Sequence, residues 1–413
     1  MTNSLPSLAS VAWLAAEPTQ RVLASLNRRG LTARIVGGAV RNALLGSAVA
    51  DIDIATVASP EQVIAAAEAD GMTVVATGLQ HGTVTVIAER HSFEVTTLRH
   101  DVETDGRHAT VAFTDDWSAD ASRRDLTINA LYCDADGTIF DPLGGLPDVL
   151  ARRVRFIGDA HQRIREDYLR ILRFYRFTAQ YAGGAPDATG IAATVAERDG
   201  LKRLSAERVR AELVCLLAAA GAATVVETMA AHGLLTAIMP VAPRLGVFAR
   251  LVAIEAAIGA KPAAALRLAC LGVAVEEDAR RLAGHLRLSA EERDVMVRAV
   301  TDLTILPAEN ERLTRIALYR LGVSRFRNRV LLAWAGSGAS QDDRRWRELL
   351  ELPLRWPVPR LPFAGRDLLA RGAAPGPRIG EMLSAFEVWW IANDFPTDRA
   401  VLDAALDRIL TGS

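Results

Sequence analysis

The chain reads as an α/β head followed by a long all-helical portion, and two observations predict this. Runs rich in β-branched residues, bounded by turn residues, concentrate in the first ~150 positions. After Ile157 the texture changes to Ala-, Leu- and Arg-rich segments with apolar residues every three or four positions. At 413 residues, half of them hydrophobic, the chain can fill more than one core.

The β-type runs lie near 34–37, 50–56, 73–77, 83–89, 93–98, 131–135 and 138–141, with a marginal one at 154–157. Helical stretches near 8–28, 39–46 and 60–69 intervene, so a mixed sheet of about five strands is expected. The helical portion is broken near 181–187, 240–245, 259–262, 304–308 and 354–363. Within the head, 100–117 reads as a polar mobile loop. No fixed-period repeat is visible, although an irregular helix array stays open.

Composition narrows the function classes. No apolar run reaches the roughly 20 residues of a membrane span, and the N-terminus lacks a signal peptide's basic start and apolar stretch. Cys133, Cys215 and Cys270 are too far apart to suggest a zinc site or a disulfide framework. A soluble cytoplasmic protein is expected. Net charge is −1, and Lys202 and Lys261 are the only lysines among 48 basic residues. Between Pro307 and Val330 lie Arg312, Arg315, Arg320, Arg325, Arg327 and Arg329 against Glu309 and Glu311. That stretch suits a phosphate backbone or a solvated helix face equally well.

The most informative residues are Asp51 and Asp53, in Asp51-Ile52-Asp53-Ile54. A strand repeats its facing every second residue, so both carboxylates leave one side while Ile52 and Ile54 face a core. Adjacent carboxylates repel unless a cation sits between them, and hard oxygens suit Mg²⁺. Upstream, Gly37 and Gly38 sit where a strand passes into a helix. Glycines there let a ligand approach the backbone, and the helix N-terminus offers free amides to an anion. Arg41, in the first turn, can reach the same phosphate. Glu94, between core-facing Phe93 and Val95, is either a third carboxylate beside the pair or a surface residue.

Two further blocks carry polar groups in apolar settings. In SRRDLTINALY (122–132), Arg124 suits a phosphate through its planar fork of donors. Asp125 and Asn129 suit ribose hydroxyls, helix capping by Asp125 being the alternative. In REDYLRILRFYRF (165–177), Asp167, Arg170, Arg173 and Arg176 recur every third residue. Over nine residues a helix rises roughly 13 Å, comparable to a nucleoside triphosphate. Leu169, Ile171, Leu172, Phe174, Tyr175 and Phe177 surround these charges, and buried charge needs a partner. A simple Asp167–Arg170 surface pair is the alternative.

Taken in order, VGGAVRN, DID, HGTVTV, FEVTTLR, RRDLTINALY, the Asp141–Gly145 turn and EDYLRILRFYRF resemble the class II tRNA nucleotidyltransferase / poly(A) polymerase family. The likeness covers about residues 30–215, with SAERVRAELVCLL at 205–217, and a weaker echo lies at 363–383. It implies a nucleotidyltransferase head over 1–150, a base-recognising neck over 151–235, and a tRNA-binding body and tail over 236–413. Asp51 and Asp53 match the family's metal pair. Gly38, Arg41 and Arg124 match triphosphate contacts, and Gly37 lies in the same turn. Asp125 and Asn129 fall in the ribose block. Asp167 and Arg170 match the base-reading pair, with Arg173 and Arg176 completing the nucleotide site. Asn42 departs from the family's usual Asp. No His-Asp phosphohydrolase motif is evident.

The implied activity is template-independent addition of CCA to the 3′ end of tRNA from CTP and ATP, with Mg²⁺ as cofactor. A carboxylate beside a guanidinium accepts the amino group and donates to the ring nitrogen that cytosine and adenine share. Uracil and guanine invert that order. Poly(A) polymerases and enzymes adding only CC or only A are the nearest alternatives. TGLQHGTVTV (77–86), where poly(A) polymerases tend to carry a basic aromatic segment, favours CCA addition. A non-catalytic RNA-binding protein and a DxD glycosyltransferase stay open from other classes. His81 is expected to be structural, and Trp389 and Trp390 to pack in a core.

Overall fold

The computed structural model describes residues 6–105, 108–302 and 310–411. The strands are β1 (Ala33–Val36), β2 (Asp53–Thr56), β3 (Thr73–Gly78), β4 (Thr83–Ala88), β5 (His91–Thr97), β6 (Arg99–Asp105), β7 (His108–Phe113), β8 (Tyr132–Cys133) and β9 (Ile139–Phe140). Seven form one mixed sheet in the order β3-β4-β5-β2-β1-β8-β9, against the five expected. The surplus comes from β8 and β9, two residues each, which extend the edge beside β1. The 154–157 run contributes only a bridge, Leu126 to Phe156.

Alternation of side chains divides the sheet into two faces. Ile35, Ile54, Val84, Val86 and Phe93 pack under the Glu17–Asn27 and Pro60–Ala69 helices, against Val22, Leu23 and Val63. Val36, Ala55 and Tyr132 face the other way, into a smaller cluster with Leu98, Ala121 and Ile157. The Pro60–Ala69 helix starts where a capping box dictates. Gln62 N–H donates to Ser59 Oγ at 3.3 Å, and Ser59 N–H donates to Gln62 Oε1 at 2.9 Å, with Pro60 at the first helical position. The expected 8–28 helix is instead two, Ala12–Ala15 and Glu17–Asn27.

The 100–117 segment is not a loop over most of its length. β6 and β7 pair as an antiparallel hairpin from Arg99↔Phe113 to Asp105↔His108, and a helix begins at Trp117. Charged residues suggested a loop, but backbone pairing needs no apolar face, and Val102, Thr104, Thr110 and Val111 are β-formers.

Helices fill the rest. In Leu169–Tyr181, the residues Ile171, Leu172, Phe174, Tyr175 and Thr178 are buried. Phe174 stacks on Phe156 at 5.2 Å and leaves Gly190 no room for a side chain, since a Cβ there would lie 2.6 Å from its ring. Truncating Phe174 to Ala would cost about 3–5 kcal/mol. Helices Leu245–Ala257 and Ala264–Gly272 join by a buried pair, Glu255 and Arg267 at 2.6 Å, and Arg267 also donates to the carbonyls of Leu217 and Ala219. Near the C-terminus Phe363, Phe386, Trp390, Phe395 and Leu406 form a separate core, with Trp389 partly buried against it.

The expected breaks at 181–187, 240–245, 259–262 and 354–363 fall largely between helices. The one at 304–308 lies outside the described residues. The arginine-rich stretch forms a helix bent at Gly322 (φ 72°, ψ 165°). Most of its arginines bind protein. Arg325 pairs with Asp302 at 2.6 Å, Arg327 donates to the Leu350 carbonyl at 3.1 Å, and Arg315 pairs with Glu311 at 2.8 Å.

Candidate active site

β1 ends at Val36, and Gly37 turns the chain into the Gly38–Leu44 helix with φ 70° and ψ −115°, a conformation that needs glycine. Opposite Val36, β2 begins with Asp53. Asp53 shares the face of Ala55, away from the two covering helices. The parallel pairing of β2 with β5 sets Asp53 directly beside Glu94. Asp51 lies in the irregular segment before β2, outside the strand expected to hold it.

These elements open onto a cavity of about 510 Å³ between the head and the Leu169–Tyr181 helix. Gly37, Gly38, Arg41, Asp53, Arg124, Asp125, Asn129, Asp167, Arg170, Arg173 and Arg176 all line it. Asp51 and Glu94 do not, although both act on Asp53 through their charge.

The electrostatics distinguish two regions. Asp53 remains accessible to solvent, yet desolvation, then the Glu94 and Asp51 carboxylates, raise its pKa against the opposing pull of Arg124. A cation would relieve that repulsion. Among the described residues no three His, Cys, Asp or Glu side chains converge to cage a metal. A hard ion that keeps water and takes substrate phosphates needs only one or two protein carboxylates, so the residues fit such an ion.

The opposite wall is cationic and tightly wired. Arg173 Nε donates to Asp125 at 2.5 Å, and Asn129 Nδ2 donates to the other oxygen of Asp125 at 3.1 Å. Burial pushes the Asp125 pKa up, but Arg173 and these hydrogen bonds outweigh it and hold the carboxyl at about 2. Asp125 is therefore an ion-pair hub, not a helix cap. Arg41 donates to Asn129 Oδ1, and to Tyr181 Oη at 2.9 Å. Asn42 Oδ1 accepts from Arg41 Nε at 3.1 Å and Nη2 at 2.9 Å, so the amide oxygen still binds this guanidinium. These partners are neutral, and burial lowers the Arg41 pKa. Arg176 pairs with Glu212 at 2.5 Å, and its guanidinium lies 4.2 Å from the Phe177 ring centre.

Asp167 is not inside a helix. One helix ends at Glu166, Asp167 is extended (φ −155°, ψ 107°), and the next begins at Leu169. Its Oδ1 accepts from the N–H of Leu169, the first residue of that helix, at 3.1 Å. Nor do Asp167 and Arg170 pair through their side chains. Arg208 holds Asp167 at 2.6 Å, and Glu166 holds Arg170 at 2.6 Å, with Arg163 on the other Glu166 oxygen at 2.5 Å. Arg208 and Arg123 line the cavity without a signal in the sequence, and Leu169 and Phe177, expected only as apolar neighbours of the charges, line it too. Arg208 lies in SAERVRAEL, three residues past the helix-capping Ser205. Nothing local marks it as a partner of Asp167.

Residues 33–155 match the family described as the poly(A) polymerase head domain, and residues 191–245 that described as the probable RNA and SrmB-binding site of polymerase A. The mitochondrial CCA tRNA nucleotidyltransferase 1 of Danio rerio is 35% identical over 386 residues, spanning 91% of this chain and 87% of the relative. The CCA-adding enzyme of Geobacillus thermodenitrificans is 40% identical over 217 residues, 52% of each chain. In three dimensions the chain is similar to the Bacillus stearothermophilus CCA-adding enzyme in complex with CTP. The TM-score is 0.72 at 28% identity, over 96% of this chain and 98% of that one.

Proposed function

The chain belongs to the tRNA nucleotidyltransferase / poly(A) polymerase family, and from that premise we propose that it adds C, C and A to the 3′ end of tRNA without a template. The observation that carries the reading is the cavity itself. One concavity joins a carboxylate with a raised pKa, a glycine turn at a helix N-terminus, and the Asp167 and Arg170 side chains.

Asp51 and Asp53 would hold Mg²⁺, two ions in this reading, whose charge would acidify the attacking 3′-hydroxyl and neutralise the departing pyrophosphate. Glu94 supports Asp53 from the neighbouring strand. Gly37 and Gly38 admit the triphosphate to the backbone, and Arg41 and Arg124 bind it with guanidinium N–H groups. Asp125 and Asn129 receive the ribose, and Arg173 and Arg176 complete the positive wall. Asp167 keeps lone pairs for the amino group of cytosine or adenine, since each of its oxygens accepts one described bond. Among the described residues Arg170 is fixed through Nη1 and Nη2 by Glu166 and the carbonyls of Arg163 and Arg123, which leaves its Nε–H for the ring nitrogen.

The helical portion holds the tRNA by shape and phosphate contacts. No helix among the described residues is long and apolar enough to cross a membrane. The likeness to bacterial CCA-adding enzymes supports a cytoplasmic location.

Incubation with a tRNA lacking its 3′ CCA, plus CTP and ATP, tests the reading. Extension by three nucleotides is expected. Unlimited A-tailing without C would assign a poly(A) polymerase instead.

A further inference from the structure

Behind Arg124 lies a buried polar cluster that the proposed chemistry does not use. Asp120, in the Trp117–Ser122 helix, is 1% exposed, and its carboxylate gathers several donors. Arg123 Nε donates to Oδ1 at 3.0 Å, Arg124 Nη2 to Oδ2 at 3.0 Å, and the Tyr132 hydroxyl to Oδ2 at 2.7 Å. The backbone N–H of Arg99, at the base of the β6–β7 hairpin, reaches Oδ1 at 3.4 Å.

Tyr132 is wholly buried, and its ring meets Trp117 edge-on at 5.1 Å and Phe140 at 6.1 Å. Those two rings close on the Arg34 guanidinium at 4.4 and 4.1 Å. The phenol therefore has one orientation, whereas Arg123 and Arg124 are long and flexible. Arg124 binds Oδ2 through its Nε–Nη2 edge, at 3.3 and 3.0 Å. Its remaining corner, Nη1, points to the glycine turn, 3.7 Å from where a Cβ on Gly37 would stand. A guanidinium held along one edge offers the other to a phosphate with a fixed aim.

We propose that Tyr132 is a positioning residue for nucleotide binding: its hydroxyl pins Asp120 Oδ2, so that Arg124 presents Nη1 to the triphosphate. This rests on the reading of Arg124 as a phosphate ligand. Desolvation raises the Asp120 pKa, but the two guanidiniums and the hydroxyl outweigh it, and the carboxylate stays ionised.

Tyr132→Phe in the full chain keeps the ring and removes the donor. Tripolyphosphate, measured by calorimetry, probes the phosphate site without a base. Its Kd and the KM for CTP should both rise about 3- to 10-fold, the size of one ordinary hydrogen bond, because the phenol acts on the phosphate at one remove. The KM for tRNA and kcat at saturating CTP should stay within about twofold, since a charge-assisted bond far from the reacting atoms acts on binding. Asp120→Asn should weaken tripolyphosphate further, and the two losses should be less than additive in the double variant, because the phenol acts chiefly through that carboxylate although its ring also lies 5.5 Å from the Arg124 guanidinium. Unchanged tripolyphosphate affinity in Tyr132→Phe, or additive losses in the double variant, would overturn the proposal. Arg124→Ala separates the two readings. If it leaves tripolyphosphate binding intact, the role of Arg124 itself falls. If it weakens binding and Tyr132→Phe does not, only the role of Tyr132 falls.

Discussion

Replacing Asp125 by Asn removes a charge and keeps the shape, and its cost follows from the geometry. The residue is 7% exposed, and its pKa is pulled from 3.8 to about 2, burial raising it and Arg173 and Asn129 pulling it down. At 1.36 kcal/mol per unit, the net shift corresponds to about 2 kcal/mol of native-state stabilisation. Breaking a fully buried pair costs about 3–5 kcal/mol. Here the Arg173 side chain is 32% exposed and has Glu212 at 3.8 Å as a fallback, so the smaller figure applies. Because the folded pKa is depressed, the contribution is fully present above the unfolded value near 3.8 and is lost as pH falls through about 2. By pH 3 about half of it should be gone. Urea unfolding of the head, followed by hydrogen exchange of the sheet amides, measures it. Wild type should exceed Asp125→Asn by about 2 kcal/mol at pH 7 and about 1 kcal/mol at pH 3. A difference equal at both pH values, or no difference at pH 7, would refute the ion-pair account.

Asp53→Asn should lower nucleotide incorporation by at least about 10²–10³-fold while CTP still binds. A near-normal turnover would move the metal site elsewhere. Gly37→Ala places a side chain at φ 70° and 3.5 Å from the Asn129 carbonyl oxygen, a strain of about 1–3 kcal/mol. CTP affinity and the urea midpoint should both fall, and a variant indistinguishable from wild type contradicts the strain. Arg208→Ala frees Asp167, a pair about a quarter exposed on each side and worth about 1 kcal/mol. Misincorporation of UTP relative to CTP should rise several-fold in a competition assay, and unchanged discrimination would show that Arg208 does not orient the base reader.

What the sequence made legible was local. Gly37-Gly38 ahead of a helix and the two aspartates around Ile52 signal their roles through adjacent residues, and the structure brings Gly37, Gly38 and Asp53 to one cavity. Glu94 beside Asp53 depends on strand register, which an isolated run cannot encode. The ion pairs of Asp167 with Arg208, and of Asp125 with Arg173, span 41 and 48 residues; the first forms only when two helical segments pack together, the second only when the helical part packs on the head. The interruption at Asp167 was invisible because EDYLRILR contains neither Gly nor Pro. At Asp167 the backbone turns extended, and its carboxylate accepts from the Leu169 amide that opens the next helix. The β6–β7 hairpin is hidden in the sequence by its charged residues, which do not prevent the backbone from pairing.

The central claim is that side chains in this cavity select the nucleotide. It is tested most directly by the ratio of C and A to U and G incorporation on a 3′-truncated tRNA, for wild type and for Asp167→Ala. Strong preference is expected in the wild type, and its collapse in the variant. Preference that survives the loss of Asp167 would contradict it.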